Sequence, residues 1–133
     1  MTLCKSYKFP VLGDERGSLI VMDKLSGVPF EIKRVYQILG TKDGVARGFH
    51  AHKKLHQLAI CVSGNCRMVL DDGEIREDVE MNSPSTGIGI PPMLWHEMYD
   101  FSDNCVMVVL ASDYYDESDY IRDYQEFREY CSK

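Results

Sequence analysis

The chain has 133 residues and a formal charge of −6, from 15 Lys and Arg against 21 Asp and Glu. That balance excludes general nucleic-acid binding, which needs a basic footprint, but leaves room for an anionic small molecule held by a few arginines. The length suits one domain and excludes a dinucleotide-binding fold with a separate substrate domain, while 44% hydrophobic residues suffice for a core.

The cysteines, at positions 4, 61, 66, 105 and 131, are odd in number and form no Cys-x-x-Cys pair. This argues against a disulfide framework or a cysteine zinc site and for a reducing compartment. No apolar run reaches the length of a membrane span, and Met1 to Pro10 lacks the apolar core of a signal peptide. A soluble, cytoplasmic protein that contacts neither membrane nor nucleic acid is expected.

Strand signals recur along the chain. Ser18 to Met22 follows the turn-prone Gly13-Asp-Glu-Arg-Gly17, and Lys33 to Leu39 follows Gly27-Val-Pro29. Then come His56 to Val62, Cys66 to Leu70, Thr86 to Ile90 and Cys105 to Leu110, each aliphatic or β-branched and bounded by turn formers. Ser63-Gly-Asn65 and Asp71-Asp-Gly-Glu74 read as hairpin turns. Short strands at regular spacing predict an all-β fold, an antiparallel barrel or sandwich of one domain over 1–133. In the tail, Tyr120, Ile121, Tyr124, Phe127 and Tyr130 recur at helical spacing, so a C-terminal helix is predicted over 116–131, capped by Asp116 or Ser118 and packed on the barrel.

Three of the four histidines, His50, His52 and His56, fall within seven residues; the fourth is His96. Positions i and i+2 of a strand face one side, so His50 and His52 point together. From Gln57 the same alternation puts Ala59 and Cys61 on one face and Leu58, Ile60 and Val62 on the other, where they meet another sheet or another subunit. Tyr36 lies on the preceding strand, and Trp95 reads as cavity wall or core.

Gly48-Phe-His50-Ala-His52-Lys-Lys-Leu-His-Gln57 and, about 40 residues on, Gly89-Ile-Pro-Pro-Met-Leu-Trp-His96 together resemble the two motifs of the cupin superfamily, implying a jelly-roll barrel with His50, His52 and His96 inside. Gln57 stands where that pattern carries Glu, and a neutral amide supplies no charge to a divalent metal. The chain further resembles the cupin-type sugar 3,4-ketoisomerases at Asp14-Glu-Arg-Gly-Ser-Leu19, Arg47-Gly-Phe-His-Ala-His-Lys53, Val69-Leu-Asp-Asp-Gly73, Pro91-Pro-Met-Leu-Trp-His96 and Asp119-Tyr-Ile-Arg-Asp-Tyr124.

This resemblance implies movement of the carbonyl of TDP-4-keto-6-deoxy-D-glucose from C4 to C3, no metal or other cofactor, and a homodimer that exchanges N-terminal strands, here within 1–30. It makes His50 the C3 base, His52 its partner or a second acid, and Tyr36 a proton relay between the sugar oxygens. Histidine suits such work because its pKa lies near neutrality. Arg47 is the expected pyrophosphate ligand, since a guanidinium fork matches phosphate oxygens. Arg16 completes the pocket across the dimer or serves as a surface turn residue; Lys53 is phosphate-directed or solvated. Gln57 and His96 complete the expected substrate-binding set. The competing expectations are a 3,5-epimerase of the same substrate, a metal-dependent cupin using His50, His52 and His96, and a non-catalytic sugar-nucleotide sensor.

Overall fold

The computed structural model describes residues 3–42 and 44–133. In chain order the strands are β1 Ser6–Lys8, β2 Val11–Asp14, β3 Gly17–Ile20, β4 Arg34–Ile38, β5 Arg47–His52, β6 Gln57–Ser63, β7 Cys66–Asp71, β8 Arg76–Met81, β9 Thr86–Ile90, β10 Trp95–Tyr99, β11 Val106–Ala111 and β12 Tyr120–Ile121, followed by helix α1 Tyr124–Cys131. Two five-stranded antiparallel sheets, ordered β1-β9-β6-β11-β4 and β12-β5-β10-β7-β8, face each other, and β2 and β3 form a separate ribbon. This is the predicted all-β jelly roll with a short C-terminal helix.

Alternation of side chains decides what lies between the sheets. Ala59 and Cys61 of β6, Met68 and Leu70 of β7, and Met107 and Val109 of β11 form the inner core, as the period-two pattern requires. The opposite face of β6 buries Leu58 and Ile60 under Phe9, Val28 and the neighbouring Ile20, Met22 and Phe30 of the N-terminal segment. Val62, at the strand end, is 40% exposed instead. On the outside of the second sheet, Trp95 and Ala51 pack against Ile121 and Phe127, so Trp95 is core beneath the helix rather than cavity wall.

Two local expectations need correcting. Ser63-Gly-Asn65 is not a hairpin, because β6 and β7 belong to different sheets and the turn carries the chain across the sandwich. Asp71-Asp-Gly-Glu74 is the true hairpin, joining β7 to β8 with Asp71 opposite Arg76. The helix predicted over 116–131 begins only at Tyr124. Glu117–Asp119 form a 3-10 turn capped by Asp116, and Asp123 caps α1 by accepting from the backbone N–H groups of Gln125 and Glu126. Between them Tyr120 and Ile121 pair with His52 and Ala51, satisfying the free edge of β5.

Candidate active site

A bulge in β5 builds the site. Along β10, His96 stands opposite His50, Glu97 opposite Gly48 and Met98 opposite Arg47, which leaves Phe49 as the extra residue. Gly48 and Phe49 both take positive φ, +92° and +61°. A Cβ on Gly48 would sit 2.9 Å from the His96 carbonyl oxygen, so both the dihedral and the close approach demand glycine. The two-for-one count returns His50 to the inner face beside His96, and Arg47, three positions earlier, shares that face at the exposed rim of the barrel.

Inside, the imidazoles of His50 and His96 lie 4.4 Å apart between ring centres, and those of His50 and His52 5.1 Å. Tyr120 caps both members of the β5 pair, at 5.0 Å from His50 and 4.3 Å from His52. Each Nδ1 faces an oxygen: the Gly48 carbonyl at 3.1 Å for His50, an Asp119 carboxylate oxygen at 3.2 Å for His52, and the Leu94 carbonyl at 3.3 Å for His96. Carbonyls and carboxylates only accept, so these contacts place the proton on Nδ1 of all three rings and leave Nε2 as the lone-pair nitrogen. Burial pushes each of the three pKa values down; His50 alongside lowers His52 and His96 further, and Arg122 adds to the fall at His50, so the cluster is neutral at pH 7.

Across the cavity, the Gln57 amide nitrogen donates to the Tyr36 hydroxyl at 2.6 Å. Burial is the main reason the Tyr36 phenol is pushed up to about 12, so it stays protonated. The Gln57 carbonyl oxygen, His52 Nε2 and Arg34 Nε are buried with no partner among the described residues. Such orphans are costly unless a ligand satisfies them. Arg34 lies over the Tyr36 ring at 5.3 Å, and with His52, Asp119 and Tyr120 it lines a cleft.

The predicted residues are distributed unevenly. His50, His52, His96, Tyr36 and Gln57 converge, and Arg47 stands on their face with its guanidinium unpaired among the described residues. Lys53 does not join them: its ammonium donates to the Ser118 carbonyl at 3.2 Å and lies 5.3 Å over the Tyr130 ring, tying the tail to the barrel. Arg16 sits on the β2–β3 ribbon, exposed and ion-paired with Asp14, away from this chain's own cavity. Arg34, Asp119 and Tyr120 were missed. Arg34 begins a strand and shares Tyr36's face by the period of two, a signal the sequence contains; Asp119 and Tyr120 were hidden by the helical spacing of the tail.

A two-sheet antiparallel barrel with an inward histidine trio defines a cupin-type protein. A profile described as FdtA (WxcM-like, C-terminal) matches residues 2–132. The chain is 52% identical over 129 residues to a TDP-4-oxo-6-deoxy-alpha-D-glucose-3,4-oxoisomerase from Aneurinibacillus thermoaerophilus, covering 97% of this chain and 93% of that one. The structure matches that of a 3,4-ketoisomerase from Helicobacter canadensis with a TM-score of 0.95 and 43% identity over the full length of both chains. It matches equally, at TM-score 0.95 and 40% identity, a histidine-to-asparagine mutant of the 3,4-ketoisomerase QdtA from Thermoanaerobacterium thermosaccharolyticum in complex with TDP-4-keto-6-deoxyglucose, covering 99% and 96% of the two chains. The chain therefore belongs to the FdtA (WxcM-like) family.

Proposed function

We propose that this chain is a sugar-nucleotide 3,4-ketoisomerase that converts TDP-4-keto-6-deoxy-D-glucose into its 3-keto isomer. The observation that carries the reading is the set of neutral imidazoles, each with Nδ1 against an oxygen, gathered on the inner face of the barrel with a protonated tyrosine. Isomerisation needs a base for the C3 proton, a route for the O3 proton to reach O4, and a donor to C4. His50, whose Nδ1–H is held by the Gly48 carbonyl, supplies the base at Nε2. Its proton returns to C4 of the enediol, and the Tyr36 hydroxyl relays between the adjacent oxygens. No net proton is gained or lost. The 3-keto product is the form from which a transaminase makes a 3-amino-3,6-dideoxy sugar, a building block of surface polysaccharides.

The diphosphate requires cations in a net-acidic chain. Arg47 at the rim is the first of these, and Arg34 is the second, its buried Nε lacking a partner. Arg16 is the third, delivered by a second copy. The ribbon leaves Val11, Leu12 and Leu19 each more than half exposed, an apolar face that exchange in a homodimer would cover. Within 1–30, β1 pairs with β9 of its own chain, and the strands we offer for exchange are those of the ribbon, β2 and β3. No helix among the described residues is long and apolar enough to cross a membrane, and a soluble substrate fits a cytoplasmic enzyme.

The test is His50→Asn, which removes the base with little change in volume. It is expected to bind TDP as the wild type does while losing at least a hundredfold in turnover. Retained turnover would remove His50 from the role of base.

A further inference from the structure

We propose that Asp119 is a positioning residue for the isomerisation: it holds His52 as the Nδ1-protonated tautomer, so that Nε2 meets the sugar as a bare acceptor. The inference rests on the 3,4-ketoisomerase reading above.

Asp119 comes from the tail, 67 positions beyond His52, and its carboxylate is fixed from two sides. One oxygen accepts the Lys54 backbone N–H at 2.8 Å. The other accepts the Leu55 backbone N–H and faces His52 Nδ1, both at 3.2 Å. The next residue, Tyr120, pairs with His52 across β12 and β5 and lays its ring against the imidazole. The carboxylate is thus held by two backbone N–H groups, and the imidazole is packed under the Tyr120 ring.

A carboxylate has no proton to give, so the contact requires hydrogen on Nδ1. Burial, His50 alongside and the nearby Arg34 all oppose a second proton on the ring, which leaves Nε2 bare. That nitrogen is buried and has no partner among the described residues, the state of an acceptor awaiting a ligand.

Asp119 also separates the roles of the two neighbouring histidines. Nδ1 of His50 leans on a neutral carbonyl, whereas Nδ1 of His52 leans on a carboxylate. When the O3 proton of the sugar passes to His52 Nε2 on its way through Tyr36 to O4, the imidazolium so formed faces a negative charge 3.2 Å away. Returning that proton to the sugar restores the neutral ring, and no further reactant enters.

A purely structural role would be to satisfy the backbone N–H groups of Lys54 and Leu55. The experiment separates the two. In the full-length, nitrogen-15-labelled protein, side-chain correlation spectra are expected to show His52 with hydrogen on Nδ1 and a lone pair on Nε2. Asp119→Asn keeps an acceptor for the backbone but turns an amide N–H toward Nδ1. The ring proton should move to Nε2, and kcat should fall by about 10²–10⁴ while KM changes less than about threefold. TDP binding reports that the barrel is folded. Should the asparagine variant not fold, Asp119→Ala is the second arm, with added formate expected to restore turnover at least tenfold.

A wild-type spectrum with the proton on Nε2, wild-type kcat in Asp119→Asn, or no formate rescue in Asp119→Ala would overturn the proposal. A wild-type protein with no turnover would overturn the function reading instead. The nitrogen spectrum distinguishes the two failures, because it reads the His52–Asp119 contact without substrate.

Discussion

Gly48→Ala tests the link from backbone to chemistry. At φ +92° an alanine is strained, at about 1–3 kcal/mol for a non-glycine residue in such a region. The added methyl also lands 2.9 Å from the His96 carbonyl oxygen and 3.3 Å from the Glu97 Cα. Both are backbone atoms of the paired strand β10 and yield only if the strand shifts, adding roughly 1–3 kcal/mol of overpacking. The sum, about 2–6 kcal/mol, corresponds to a fall in Tm of roughly 6–25 °C for a domain of this size. Relief by straightening the bulge would turn His50 from the inner face, since a one-residue slip reverses every side chain. Turnover, measured well below the variant's Tm, should therefore fall further than the folded fraction does. Thermal unfolding followed by circular dichroism, paired with the isomerase assay, reads both effects. Wild-type Tm and wild-type turnover in Gly48→Ala would refute the claim that the bulge aims His50.

Three further outcomes are expected. Phe127 is fully buried against Trp95 and Tyr124, so Phe127→Ala should cost about 3–5 kcal/mol in urea unfolding. His96 is held neutral by burial, its pKa pushed down from 6.5 to about 3. As pH drops below 6.5, the unfolded chain takes up a proton that the folded chain refuses. Stability should thus be fully present above that pH and decline with acid by up to about 1.4 kcal/mol per unit for this residue, down to about pH 3. His96→Phe should flatten the fall in urea midpoint with pH; an unchanged slope would contradict its being buried and neutral. Leu19→Glu on the ribbon should shift light scattering from dimer to monomer and weaken TDP binding, whereas an unaffected dimer would exclude exchange through this arm.

Much of the fold was legible because its signals are local. Period-two alternation in Gln57 to Cys61 separated the cavity face from the outer face, and Asp71-Asp-Gly-Glu74 marked its hairpin. What escaped depended on distant partners. Tyr120 and Ile121 share helical spacing with Tyr124, Phe127 and Tyr130, yet the open edge of β5 recruits them as a strand, and only Asp123, capping two backbone N–H groups, marks where the helix begins. The site followed the same division. The histidines came from motif and strand periodicity and Tyr36 from the family resemblance, while Asp119 reaches His52 only because the tail folds back onto β5. Lys53, expected to be phosphate-directed or solvated, follows the end of β5 at His52 and turns to the Ser118 carbonyl and the Tyr130 ring.

The most direct test is to incubate the purified protein with TDP-4-keto-6-deoxy-D-glucose in deuterated buffer and follow the sugar by proton NMR. Isomerisation predicts loss of the C3 proton signal and appearance of the 3-keto sugar, with deuterium at C4 to the extent that the proton on His50 exchanges with solvent before its return. An unchanged substrate, or a product altered at C3 and C5 with its carbonyl still at C4, from folded protein that binds TDP, would contradict it.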